Sequence, residues 1–321
     1  MNQYLKNDLF SPHLVTDAWH LIESVNAITL LTHQKPDADG MSACAAMSAL
    51  LEKMGKSVEV VYPSEPEVPL KRQGANVLVN KHKQEPDLLI MFDTANYERL
   101  YYPAAFHEIP SINIDHHISN SIKASINLIT DQVSSTCEQL YLLLHWWGQE
   151  VDKYMAECLL FGMLYDCQVF HTQSTRPRTL RVAADLIDAG ANLFELMGEL
   201  LFNKKPEIIT LWGRLLSSVT FAPNRKAAWS VIRQKDLQSL GLTLSSTVGF
   251  SNFLAQLSDI DITILFYEEQ DGKTKVSLRS KQADVNKLAG HFGGGGHKNA
   301  SGISLNRPID EVVKEVTSYL Q

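Results

Sequence analysis

Short apolar runs separated by longer segments of helical period mark the first half of the chain. AITLLTH (27–33), SVEVVY (57–62), DLLIMFD (87–93) and SINIDHH (111–117) have the length and the aliphatic content of buried strands. Residues 39–54, rich in Ala and Met and closed by Gly55, read as a helix. PSEPEVP (63–69) reads as a loop. Strands alternating with helices predict βαβ units, an α/β fold and a mainly parallel sheet flanked by helices. Ligands of such sheets bind beyond the carboxyl ends of the strands, and aspartates and histidines stand at those ends here.

Further along, VSSTCEQLYLLLHWW (133–147) opens with Ser135 three residues before Glu138, a capping-box pattern, and continues as a helix. AECLLFGMLYDCQVF (156–170) is an apolar segment with one aspartate inside it. Residues 179–202 read as helical with a break at Gly190, and 194–217 carry the chain to a second unit. From about 219 short strands recur: AAWSVI (227–232), DITILFYEE (261–269) and KTKVSLRS (273–280), the last two separated by Gln-Asp-Gly. The expected layout is a first domain over 1–190, a helical linker over 191–217 and a smaller α+β domain over 218–321. The second domain ends in HFGGGGHKNASG (291–302), the single low-complexity stretch.

The length of 321 residues exceeds what one hydrophobic core usually serves, which agrees with two domains. No apolar run reaches membrane-spanning length, and the opening MNQYLKNDLFSPH lacks a signal peptide's apolar centre. Cys44, Cys137, Cys158 and Cys167 form no C-x-x-C pair and lie in apolar contexts. They read as buried thiols of a cytoplasmic protein, not as a disulfide framework or a zinc site. The net charge of −7, with no basic stripe, argues against a grip along long nucleic acid.

The polar residues at the strand ends are His33, Asp37, Asp39, Asp93, Asp115, His116 and His117, and Asp166 joins them from its apolar segment. Carboxylates gathered at one sheet edge repel and take up protons unless cations compensate. Histidine mixed with carboxylate points to a borderline metal such as Mn²⁺ more than to Mg²⁺ or Ca²⁺. Each residue alone has a plainer reading. Asp39 suits a helix N-cap, Asp93 and Asp115 suit strand-closing loops, and paired histidines suit an exposed turn. Asp166 is harder to dismiss, since a carboxylate amid Phe161, Leu164, Val169 and Phe170 needs a partner.

Taken in order, these motifs resemble the DHH phosphoesterase superfamily, which takes its name from the tripeptide present here as Asp115-His116-His117. His33-x-x-x-Asp37-x-Asp39 resembles the first motif, Asp93 in MFDTANYERL the second, IDHH the third and Asp166 in GMLYDCQVF the fourth. HFGGGGHKNASG resembles the glycine-rich signature of the DHHA1 domain. Size and domain order look most like the NrnA branch of small oligoribonucleases that also dephosphorylate 3′-phosphoadenosine 5′-phosphate (pAp). Two motifs depart from the pattern. Pro36-Asp37-Ala38-Asp39-Gly40 stands where Pro-Asp-Gly-Asp-Ala is usual, and Asp166-Cys167-Gln168 stands where Asp-Thr-Gly is frequent.

The resemblance implies two divalent metals, Mn²⁺ with Mg²⁺ or Co²⁺ as alternatives. It puts His33 and Asp37 on one metal, Asp39, His116 and Asp166 on the other, and Asp93 between them. Asp115 would orient a ligand, and His117 would hold a phosphate oxygen or support the leaving group. Arg279, His291, Gly293, Gly294, Gly295, Gly296 and His297 would bind substrate in the second domain, in a cleft between domains. The implied substrates are short single-stranded RNA, mononucleotides or dinucleotides, and a homodimer is compatible with the branch. Rival readings are a cyclic or linear dinucleotide phosphodiesterase, a RecJ-like single-strand exonuclease, and a non-catalytic nucleotide sensor.

Overall fold

A computed structural model describes residues 5–66, 71, 77–202, 204–247, 249–269 and 271–320. The expected loop at 63–69 and the turn at 270–272 lie partly outside the described residues. The chain divides into two compact units, Met1–Asn203 and Lys204–Gln321.

The first unit runs α1 (Pro12–Ser24), β1 (Ala27–Leu31), α2 (Ala38–Lys53), β2 (Ser57–Tyr62), β3 (Val77–Val79), β4 (Leu88–Phe92), β5 (Ser111–Asp115), β6 (Ile126–Ile129), α3 (Thr136–Trp146), α4 (Lys153–Asp166), α5 (Pro177–Asp188) and α6 (Leu193–Leu201). Its sheet has the order β3-β2-β1-β4-β5-β6, and every pairing is parallel. Parallel sheets need cover on both faces, which is why β4 and β5 are buried at every residue. On one face, Leu30, Ile90 and Ile112 join the large core under α2, α3 and α4; on the other, Leu31, Leu89 and Met91 pack with Phe106 and Leu100. Residues 38–48 of α2 are all buried, as expected of a helix enclosed on every side. The strand order reverses between β1 and β4. Chains leave these two strands in opposite directions and open a crevice at their carboxyl ends.

The second unit runs α7 (Pro206–Ser217), β7 (Thr220–Phe221), β8 (Ala227–Ile232), α8 (Gln234–Gln238), α9 (Phe250–Leu254), β9 (Ile262–Glu268), β10 (Thr274–Ser280), α10 (Val285–His291), β11 (Gly295–His297), β12 (Ala300–Leu305) and α11 (Ile309–Ser318). Its sheet, β11-β12-β10-β9-β8-β7, is antiparallel except for the β8–β9 pair. Alternate residues face opposite sides. Ile264, Phe266, Val276 and Leu278 pack with Val312 and Val316, whereas Leu265 and Tyr267 pack with Leu211, Leu215 and Phe250. The stretch 191–217 holds two helices: Leu196 of α6 joins the first unit's core, and Leu211 and Leu215 of α7 join a core of the second. None of the four cysteines forms a disulfide, and all are buried.

Candidate metal centre

The crevice between β1 and β4 gathers the polar residues of the first unit. His33 lies two residues beyond β1, Asp93 directly follows β4, and Asp115 ends β5 with His116 and His117 after it. Asp37, not Asp39, caps α2: its Oδ1 accepts from the backbone N–H of Asp39 at 3.1 Å and of Gly40 at 3.3 Å. That leaves Asp39 one residue inside the helix, fully buried and turned towards the centre. Asp166 is the last residue of α4.

Two triads of potential ligands meet at Asp93. His33, Asp37 and Asp93 form one, and Asp39, His116 and Asp166 the other; Asp93, His116 and His117 make an overlapping set. Asp93 Oδ2 lies 3.4 Å from His33 Nε2, and Asp93 Oδ1 lies 3.4 Å from His116 Nε2. His33 Nε2 is 3.7 Å from Asp37 Oδ1, and His116 Nε2 is 3.6 Å from Asp166 Oδ2. These groups can hold metal ions, and two observations fit cations at both triads. The two oxygens of one carboxylate face different triads, as a bridging ligand requires. His33 Nδ1 sits 2.9 Å from the Gln34 carbonyl and, as an N–H, donates to it, so the Nε2 lone pair is left for a ligand bond. Arg99 Nη2, 3.1 Å from the same Nδ1, can only donate and competes for that position.

The electrostatics agree with a site built for cations. Burial opposes charge on His33, but hydrogen bonding to Asp37 and Asp93 outweighs it and pushes the imidazole up to about 10. Burial likewise opposes charge on His116, which Asp93 and then Asp166 push up to about 10. Burial tends to raise Asp93, yet His116 and His33 hold it well below the usual carboxylate range. Asp39 moves the other way: burial, with Asp93 and Asp166 close by, pushes it well up. Burial also lifts Asp166 to about 6. Without metal, two imidazolium charges flank Asp93 and supply part of the positive charge that cations would bring.

The surrounding backbone explains how these side chains are held. Asp39 is gripped by the start of α3, where the N–H of Thr136 donates to its Oδ2 at 2.7 Å and the N–H of Cys137 to its Oδ1 at 3.0 Å. A helix N-terminus offers both free donors and positive potential to a carboxylate. Thr136 Oγ1 also donates to Asp93 Oδ1 at 3.3 Å. Ser135 caps α3, and the buried Glu138 carboxylate accepts from Ser134 N–H, Ser134 Oγ and Thr179 Oγ1 at 2.7–2.8 Å. A Cβ on Gly162 of α4 would sit 2.4 Å from Cys137 Sγ and 3.1 Å from Asp39 Oδ1, so α4 reaches the centre only with glycine there. A Cβ on Gly40 would meet Thr32 Oγ1 at 2.2 Å, which accounts for glycine at this place in the first motif.

Asp115 is fully buried; its Oδ1 accepts from the His116 N–H at 2.9 Å and from His117 Nδ1 at 2.7 Å. That bond, against the opposing effect of burial, raises His117 above its ordinary value. The chain beyond Asp166 turns sharply. Gln168, Val169 and Phe170 have φ of 47°, 57° and 65°, a run of left-handed residues none of which is glycine. Glycine, frequent at the place of Gln168 in the fourth motif, would adopt this conformation without strain. Asp93 and Lys35 also have positive φ, 54° and 53°, in the loops after β4 and β1.

In the second unit, Arg279 of β10 is half-buried and donates from Nε to Asn252 Oδ1 and from Nη1 to Ser277 Oγ and the Leu278 carbonyl. The glycine run forms a hairpin more than an open loop. Gly293 follows α10 with φ of 73°, and the N–H groups of Gly293 and Gly294 donate to the Gly290 and Ala289 carbonyls, so neither is offered to a phosphate. Cβ atoms on Gly294 and Gly296 would press into the Gly302 and Ala300 carbonyl oxygens at 2.2 and 2.5 Å. His291 bonds to Tyr319, and the two rings meet at a tilt of 54°. Gly295 and His297 are exposed. The residues that sequence reasoning passed over are Thr136 and Gly162. The capping pattern marked the start of α3, but nothing local says that its N–H groups face a carboxylate 97 residues upstream.

The model of the DHH family N-terminal domain matches residues 27–163, and that of the DHHA1 domain matches residues 241–321. The chain is 28% identical over 299 residues to the bifunctional oligoribonuclease and PAP phosphatase NrnA of Bacillus subtilis (strain 168), spanning 90% of this chain and 93% of that protein. Among solved structures, an exopolyphosphatase-related protein from Bacteroides fragilis superposes with a TM-score of 0.91 at 21% identity, over 98% of this chain and 97% of that one. RecJ of Thermus thermophilus, in complex with Mn²⁺, superposes with a TM-score of 0.57 at 13% identity, over 98% of this chain and 55% of that one. These two likenesses establish a shared fold. The chain thus carries, in order, a DHH family N-terminal domain and a DHHA1 domain.

Proposed function

We propose that the chain is a two-metal phosphohydrolase that degrades short RNA oligonucleotides to mononucleotides and removes a phosphate from pAp. One observation carries the reading: the buried Asp93 carboxylate turns one oxygen to the His33–Asp37 side and the other to the His116–Asp166 side. His33 and Asp37 would hold one cation, Asp39, His116 and Asp166 the other, and Asp93 both. Divalent cations bound there supply Lewis-acid activation of water and neutralise phosphate charge. The mixed imidazole–carboxylate donor set favours Mn²⁺ over Mg²⁺.

The chain's own residues do the rest. Asp115 holds His117 by Nδ1, so Nε2 is the nitrogen that meets a phosphate oxygen or gives a proton to the leaving oxygen. The start of α3 holds Asp39 through two backbone N–H groups. In the second unit Arg279, Gly295 and His297 are the proposed phosphate contacts, while Gly293, Gly294, Gly296 and His291 shape the hairpin that presents them. The B. subtilis relative's name supports both substrate classes.

The test is a time course with Mn²⁺ and four substrates in parallel: a short 5′-labelled RNA, a long RNA, pAp and a cyclic dinucleotide. Mononucleotides from the short RNA and phosphate from pAp, with the long RNA largely intact, are the expected result. Preference for the cyclic dinucleotide moves the chain to a signalling phosphodiesterase, and digestion of the long strand moves it to a RecJ-like exonuclease. No turnover of any substrate defeats the proposal.

A further inference from the structure

One side-chain amide ties together the two loops that carry Asp93 and His117. Asn120 Nδ2 donates to Asp115 Oδ2 at 2.6 Å and to the Thr94 carbonyl at 2.8 Å, while its Oδ1 accepts from the Ile122 N–H at 2.9 Å. A carboxylate and a carbonyl only accept, and a backbone N–H only donates, so these partners fix which way the amide points. Ser121 reinforces the link, its N–H and Oγ both donating to the Ala95 carbonyl. The loop after β5 is thereby clipped to the loop after β4, one residue beyond Asp93.

Asp115 depends on the same amide. Its carboxylate is fully buried, and among the described residues neither Lys nor Arg forms an ion pair with it. Asn120 holds Oδ2, and His117 Nδ1 and the His116 N–H hold Oδ1. The carboxylate is pinned at both oxygens and cannot rotate without leaving a buried acceptor unmatched. His117 then has one orientation, with Nδ1 engaged and Nε2 turned away from Asp115.

We propose that Asn120 is a positioning residue for the hydrolytic reaction: by holding Asp115 it fixes the ring of His117 so that Nε2 faces the substrate. The proposal rests on the phosphohydrolase reading of the centre, and Asn120 itself touches no reacting atom. Asn120→Asp keeps the shape but exchanges the donor for an acceptor facing Asp115 and the Thr94 carbonyl. Asn120→Ala deletes the contact.

The decisive experiment is a double-mutant cycle between Asn120 and His117 on the full chain, read by kinetics and by NMR. Asn120→Asp should lower kcat by about 10- to 100-fold, as loss of a supporting hydrogen bond behind a working group does. KM should stay within about threefold. In a His117→Ala background the same change should have almost no further effect on kcat, because its route to the chemistry is gone. In the Mg²⁺-loaded protein the His117 Nδ1–H should give a downfield ring-proton signal that disappears in Asn120→Asp and Asn120→Ala. Full additivity of the two changes, or an unaltered ring-proton signal, overturns the proposal. If Asn120→Asp does not fold, Asn120→Ser, which keeps a shorter donor, takes its place with the same two criteria. A wild type that turns over no substrate defeats the hydrolase reading alone. The ring-proton signal then still decides whether Asn120 sets the orientation of His117.

Discussion

Asp93 faces both His33 and His116, so replacing it separates metal binding from folding. Asp93→Asn keeps size and hydrogen-bonding reach but removes the charge that both His33 and His116 face. Calorimetry with Mn²⁺ should show metal affinity reduced at least about 100-fold, the upper end of what loss of a mere supporting contact costs. Circular dichroism should be unchanged. Tight binding of two metals to this variant would show that Asp93 does not join them. Gln168 gives a prediction of opposite sign. Its left-handed φ is uncomfortable for a side chain, so Gln168→Gly should raise stability by up to about 1 kcal/mol, measured by urea unfolding. A loss of stability would mean that the side chain outweighs the strain. The cluster was legible at this scale because Asp and His residues that follow β1, β4 and β5 of one parallel sheet must meet at its carboxyl edge. What could not be read was the cap of α2: Asp39 suits that place on paper, but the first turn begins at Ala38 and gives it to Asp37. Nor does the run of four glycines announce that two of its N–H groups are already bonded to carbonyls at the end of α10.

At the scale of elements, the start of α3 is where tertiary structure governs the site. It donates to Asp39, touches Asp93 through Thr136, and is itself braced by the buried Glu138, with Arg178 Nε 3.6 Å away. Glu138→Ala would strip a buried carboxylate from Ser134 and Thr179 and leave the Arg178 guanidinium, only 13% exposed, without this counter-charge. The expected cost is about 3 kcal/mol in urea unfolding. A cost below about 1 kcal/mol would show that water replaces the carboxylate without difficulty. Such bracing joins segments 40 or more residues apart, and no local pattern contains it. The long elements were legible for the opposite reason. β1, β2, β4 and β5 are buried on both faces of a parallel sheet and so appear as short, mainly apolar runs, unbroken in β4 and interrupted by Thr29 in β1, Glu59 in β2 and Asn113 in β5. The three-residue β3, the half-buried β6 and the two-residue β7 have too few core-facing positions to leave such a trace. β11 leaves none, because two of its three residues are glycines held by backbone pairing.

For the whole molecule, the charges at the centre tie stability to pH in a way that metal should reverse. In the metal-free protein His33 and His116 are pushed up to about 10 from an ordinary 6.5. A group whose value rises on folding holds its proton more tightly in the folded state. Its stabilising effect is complete below pH 6.5 and is lost as pH climbs towards 10. Asp93, held low in the folded state, contributes in the other direction: its effect is present above the ordinary carboxylate value and is lost in acid. Between pH 6.5 and 10 the histidines, joined by Asp39, whose value also rises on folding, therefore dominate, and the melting temperature of metal-free protein should fall. With metal the sign changes. Cations and protons compete for His33 and His116, so binding tightens as pH rises and releases protons as it occurs. Free metal at 100 times its dissociation constant adds about 2.7 kcal/mol to the folded state. The melting temperature at fixed, saturating Mn²⁺ should accordingly rise over pH 6.5–8 while that of the metal-free protein falls. Two parallel curves would mean that His33 and His116 carry no extra proton before metal binds. Diverging curves, with the divergence abolished in Asp93→Asn, would tie the pH response of the whole fold to one carboxylate between two histidines.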